Sequence, residues 1–169
     1  VDLIPGFRTI YLGMNFKNKP FDDVRVRQAL NHAIDRQAII DNILLGTAEI
    51  AIGPEATSIP GASKDLPTYD YDPEKAKQLL AEAGYPNGLE IKFHAPFGRY
   101  NMDKQVAEAI QAQLAQVGIK ADLQTLDWSI YSDMLKKGEE TQLFMVGKGS
   151  PAGDLDFTAQ ICWVTGGSL

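Results

Sequence analysis

The sequence predicts an α/β domain built from successive helix–strand units, and three observations carry that prediction. From residue 72 onward a helix pattern, a glycine and a strand pattern follow one another three times. The strand patterns are short and apolar, whereas the helix patterns repeat apolar residues at helical spacing. The size, 169 residues and 18.5 kDa, suits one domain, and 44% apolar with 22% charged side chains is a globular composition rather than a disordered one.

The first element is a strand over 9–16, rich in β-branched, aromatic and large apolar residues. Pro20 interrupts it. Asp22 or Asp23 then caps a long helix that runs to Leu45, with Gly46 as its stop. Val26, Leu30, Ala33 and Leu44 form one apolar stripe, and Val24, Ile39 and Ile43 another, a width that predicts burial between layers. Residues 53–72 read as a connector broken by Pro54, Pro60, Gly61 and Pro67, with Tyr69 and Tyr71 pinning it to the surface.

Asp72-Pro73 then opens a helix, because an acidic N-cap followed by proline at the first helical position costs no hydrogen bond. That helix ends at Ala83 and Gly84, and a strand follows over 89–95. A second helix is expected over 101–117, closed by Gly118. Ile119, Ala121 and Leu123 alternate with Lys120, Asp122 and Gln124, which predicts a half-buried strand. Asp127 caps a third helix over 128–137, closed by Gly138, and a strand follows over 142–146. The segment 147–157 is expected to be a loop beyond a strand's C-terminal end, where α/β sheets bind ligands.

Charge and motif content narrow the function. Sixteen basic against 22 acidic side chains give −6, the wrong balance for a phosphate-backbone binder, so no nucleic-acid partner is expected. No apolar run has the length of a membrane span, and Val1 to Ile10 carry no basic segment leading into an apolar stretch, so no signal peptide is expected there. The single cysteine, Cys162, excludes a disulfide within the chain. His32 and His94 lack metal-ligand spacing, so no metal and no cofactor is expected. Gly147-Lys148-Gly149-Ser150-Pro151 matches neither a phosphate-binding loop nor a nucleophile elbow, and no catalytic constellation is visible; an amide or peptide hydrolase would need one.

What remains are candidate binding residues in loops after strands. Arg99 stands between a strand and a helix, where a guanidinium can take a carboxylate through two parallel hydrogen bonds. Phe97, Tyr100 and Trp128 lie in loops of the same kind. Asp154 and Asp156 share a face if the chain there is extended; turn capping, a polar contact to a ligand, and metal or acid–base chemistry all stay open for them.

Three segments carry a resemblance: Pro20 to Arg36 (PFDDVRVRQALNHAIDR), Tyr71 to Pro86 (YDPEKAKQLLAEAGYP) and Ala107 to Ile119 (AEAIQAQLAQVGI). Over residues 11–157 the chain resembles the extracytoplasmic solute-binding proteins, family 5, of peptide/nickel-type ABC importers. The resemblance implies a two-lobed periplasmic binding protein of type II-like, cluster C architecture, with residues 1–169 forming part of the second lobe and the first lobe lying outside them. It implies a non-enzymatic, periplasmic or extracytoplasmic protein that captures a small peptide by lobe closure and delivers it to a permease. It touches the membrane only through that permease or a lipid anchor. Glutathione-like peptides, metal chelates, opines and oligosaccharides are the alternative solutes.

The resemblance also bears on single residues. Peptide-binding relatives carry an aspartate for the ligand amine in the loop after the last strand, and here Ser150 and Pro151 fall at that place, with Asp154 and Asp156 nearby. An arginine before the long helix pairs with the ligand carboxylate in dipeptide binders, which points to Arg99. The tryptophan that often follows the loop's first glycine is replaced by Lys148. The expected ligand-binding set is therefore Arg99, Tyr100, Trp128, Gly147, Lys148, Gly149, Ser150, Asp154 and Asp156.

Overall fold

The computed structural model describes residues 6–138, 141–150 and 153. Among the described residues nine elements follow in order: β1 (Arg8–Met14), α1 (Val24–Ala33), α2 (Arg36–Asn42), α3 (Pro73–Glu82), β2 (Leu89–Phe97), α4 (Asp103–Gln116), β3 (Ile119–Asp127), α5 (Trp128–Lys137) and β4 (Leu143–Gly149). The three helix–strand units expected from the sequence are α3–β2, α4–β3 and α5–β4.

The strands form one four-stranded sheet in the order β1-β4-β2-β3. β2 is parallel to β3 from Leu89↔Ile119 to Phe97↔Asp127, and parallel to β4 at Phe93↔Leu143 and His94↔Phe144. β1 is antiparallel to β4, from Arg8↔Gly149 to Met14↔Leu143. The period-two alternation of a strand sorts residues onto the two faces. Ile91, Phe93, Ala95, Ile119, Ala121, Leu143 and Met145 join Val26, Leu30, Ala76, Leu80, Ala107, Ile110 and Leu114 of α1, α3 and α4 in one core. His94, Gln124 and Leu126 face the other way, toward α5, where they line a groove with Ile130, Asp133 and Met134.

The helix starts follow the sequence. Asp23, Asp72 and Asp127 each accept a backbone N–H of the first turn, from Arg25, Lys75 and Ser129 respectively. Gly118 turns the chain between α4 and β3 at φ +88°, the left-handed region that favours glycine.

Two expectations fail. The helix expected from residue 22 or 23 to Leu45 is two helices. Ile34 is extended, and Asp35 starts α2 by accepting the Ala38 N–H at 2.9 Å. Gln113 of α4 holds the break from outside: its Oε1 accepts the Asp35 N–H at 3.0 Å, and its Nε2 donates to the Asp35 carbonyl at 3.3 Å. An aspartate that can cap competes with helix continuation, and a tertiary partner decides the contest. Val24, assigned to the apolar face, is 51% exposed.

The second failure concerns 147–157. Gly147, Lys148 and Gly149 are not loop but the end of β4, paired with Ile10, Thr9 and Arg8. Their glycines suggested a loop because they pack poorly in a strand; here they are required by close neighbours. β2 and β3 likewise run farther than expected, to Phe97 and Asp127, and α4 begins at Asp103 rather than Asn101.

Candidate ligand-binding site

The connectivity creates a crevice. From β2 the chain crosses to β3 on one side; from β3 it returns past β2 to β4 on the other. The carboxyl ends of β2 and β4 flank this reversal, the place where open α/β sheets bind ligands. Their pairing stops at His94↔Phe144, so the backbones beyond it need other partners. Tyr131 of α5 supplies one: its buried hydroxyl lies 2.7 Å from the Met145 carbonyl and 3.2 Å from that of His94. Burial pushes the Tyr131 phenol well above its ordinary range, so the hydroxyl stays protonated and able to donate. Tyr100 supplies the next, its hydroxyl accepting the Gly147 N–H at 2.8 Å. A Cβ at Gly147 would stand 2.8 Å from the Tyr100 ring and 2.5 Å from Ile10 Cδ1, so only glycine lets the ring lie on β4.

The turn that carries Arg99 and Tyr100 is held by Asp103, which is 5% exposed. Its Oδ1 accepts the N–H groups of Gly98 at 3.2 Å and Lys104 at 2.9 Å. Its Oδ2 accepts those of Arg99 at 2.7 Å and Tyr100 at 3.0 Å. One carboxylate thus takes four donors at a helix start that has no side-chain cap of its own, with Met102 in the left-handed region at φ 52°.

Arg99 is exposed, and its guanidinium carbon sits 4.8 Å from the centre of the Trp128 ring and 5.9 Å from that of Tyr100. The Tyr100 and Trp128 rings meet edge to face at 6.1 Å, and Trp128 contacts Tyr131 at 6.0 Å. The contact with a ring face orients a guanidinium and leaves its N–H edges open. Arg8 joins from β1, its guanidinium carbon 5.6 Å from the Tyr100 ring centre. Among the described residues neither Arg8 nor Arg99 forms an ion pair or a side-chain hydrogen bond. Asp127 does not serve them: its carboxylate accepts the Ser129 N–H and hydroxyl at 2.9 and 2.7 Å, and those bonds hold it below the usual carboxylate range. That is the helix-cap role expected for it. Phe97, Met102 and Ile130 are exposed apolar side chains.

Of the expected set, the structure brings together Arg99, Tyr100, Trp128 and Gly147. Gly149 pairs with Arg8, and a Cβ there would strike the Phe7 carbonyl oxygen. Ser150 is buried at the end of β4. Lys148 alternates with Gly147 along β4 and, like Arg8, borders a cavity of about 1000 Å³ between β1, α2 and residues 44–57. Asp154, Asp156 and Cys162 lie outside the described residues. His32 Nδ1 donates to the Asp70 carbonyl at 2.9 Å and its ring meets Tyr69 edge to face, which pins the connector at Tyr69. No group of three potential metal-ligating side chains occurs among the described residues, and no helix among them is long and apolar enough to cross a membrane.

Sequence reasoning missed Arg8, Asp103 and Tyr131. Asp103 alone carried a local signal, an acidic residue in the first turn of a helix. Arg8 and Tyr131 carried none.

Comparison with known proteins decides the family. The model described as bacterial extracellular solute-binding proteins, family 5 Middle, matches residues 1–168. The chain belongs to that family. It is 43% identical over 139 residues to heme-binding protein A of Haemophilus influenzae, covering 80% of this chain and 25% of that protein. It is 41% identical over 156 residues to the dipeptide-binding protein of Escherichia coli K12, covering 90% and 29%. Among solved structures it superposes on the ABC transporter-associated periplasmic binding protein DppA from Helicobacter pylori, in complex with peptide STSA. That match has a TM-score of 0.79 and 32% identity, over 86% of this chain and 28% of the other. The chain thus spans well under a third of the length of these relatives.

Proposed function

We propose that the protein carrying this chain is the substrate-binding component of an ABC importer, and that its principal ligand is a small peptide or peptide-like solute. Residues 1–169 form part of its second lobe. The protein works outside the cytoplasmic membrane, binds without chemical turnover, and delivers its solute to a permease. Closure of a first lobe over the crevice traps the ligand, since a solute that touches both lobes only in the closed form favours that form.

The observation that carries this reading is Arg99. Its guanidinium stands at the switch point, oriented over Trp128, with its N–H edges unused among the described residues. Such a group suits a ligand carboxylate, and a free peptide always has one. The peptide-binding relatives support the same class. Heme-binding protein A supports a second reading, a non-peptide solute held by the same closure.

A thermal-shift and calorimetric panel on the intact protein tests this. Dipeptides, an oligopeptide, glutathione, a nickel chelate, heme and sugars are compared. A ligand at 100 times its Kd raises the apparent stability by about 2.7 kcal/mol. A dipeptide is expected to shift the melting point, its C-terminal amide to shift it less, and Arg99→Ala to lose the response. A panel in which only heme, chelate or sugar responds overturns the peptide reading and leaves the transport role.

A further inference from the structure

We infer that Arg8 and Arg99 together form a two-cation clamp around Tyr100, which selects solutes bearing two acidic groups. This rests on the proposed function and narrows its substrate class. The antiparallel course of β1 delivers Arg8 to the same end of the sheet as the carboxyl ends of β2 and β4, through the Arg8↔Gly149 pairing. Both guanidinium carbons then lie within 6 Å of one ring centre, at 5.6 and 5.9 Å. Two guanidinium groups drawn to one ring concentrate positive charge around it. Proteins place such charges close together where an opposite charge meets them. Among the described residues no carboxylate does: Asp103 is turned into its own backbone turn, and Asp127 into the start of α5.

A monocarboxylate satisfies one guanidinium and leaves the other unmatched. A diacid satisfies both, each through charge-assisted hydrogen bonds. The matching chemistry is a pair of carboxylates on a short scaffold, from an acidic dipeptide, a γ-glutamyl peptide or a non-peptide diacid.

Calorimetry on the intact protein with Ala-Glu, Ala-Gln, glutathione and glutarate tests the clamp. Ala-Glu is expected to bind about tenfold tighter than Ala-Gln. In Arg8→Ala that ratio falls to about one, and in Arg8→Lys it is partly kept. Circular dichroism confirms that each variant folds. A ratio near one in the native protein, or an unchanged ratio in Arg8→Ala, overturns the clamp and leaves the peptide reading standing. If neither dipeptide binds but glutarate does, and Arg8→Ala abolishes that binding, the clamp stands and the peptide reading falls. Absence of binding by all four overturns both.

Discussion

Asp103 does two jobs with one carboxylate. It satisfies amide groups at the start of α4, and it fixes the turn from which Arg99 and Tyr100 project. Both oxygens are needed, because each accepts two donors. Asp103→Asn puts an amide nitrogen where two N–H groups already point, so the isosteric change should fail nearly as badly as Asp103→Ala. Each is expected to cost about 3 kcal/mol of stability, from buried donors left without an acceptor. Hydrogen exchange should quicken at the amides of Gly98, Arg99 and Tyr100. Trp128 fluorescence should change too, because Arg99 no longer rests on its ring. Native-like exchange at those three amides in Asp103→Ala refutes the role. Arg99, Tyr100 and Trp128 were legible as binding candidates because each follows a strand. The link from Asp103 to their backbone was not, since an acidic residue in a first helical turn reads equally well as a simple dipole partner.

Among the elements, α1 shows how a cap becomes a pH-dependent latch. Asp23 accepts the Arg25 N–H at 2.8 Å and pairs with its guanidinium, which also donates to the Glu82 carbonyl at the end of α3. One arginine therefore ties the start of α1 to the end of α3. The bonds from Arg25, side chain first and then backbone, lower the Asp23 pKa from 3.8 to about 2. A depressed carboxylate favours the folded state above its unfolded pKa, and that contribution is lost as pH falls through the folded value. Acid unfolding followed between pH 4 and pH 2 should thus show a component that Asp23→Asn removes. An unchanged acid limb in that variant refutes the latch. The caps of α1, α3 and α5 and the glycine stops of α3, α4 and α5 were readable because they involve residues a few positions apart. The break at Ile34 was not, because Gln113 sits far along the chain and supports it only after α4 has packed.

For the whole molecule, the strand order decides where a ligand can sit. Because β4 inserts between β1 and β2, the crevice is lined from four places that are distant in sequence: the start of β1, the turn after β2, the start of α5 and the end of β4. If the intact protein closes around a solute there, small-angle scattering should show a smaller radius of gyration on adding the binding dipeptide. The Arg99→Ala variant should stay expanded at the same concentration. A radius that does not change when the ligand is bound rules out closure.

The sequence by itself determined the family, the α/β class, the helix–strand units and most caps and stops. Those features rest on side chains acting on backbone nearby, so their signals are local. Only packing of distant segments decided that β1 runs antiparallel beside β4 and that 147–149 is strand. It alone placed Arg8 beside Tyr100, and it seated the Tyr100 hydroxyl on the Gly147 amide 47 residues away. Such contacts depend on which strand lies next to which, and hydrophobic alternation alone leaves that order open.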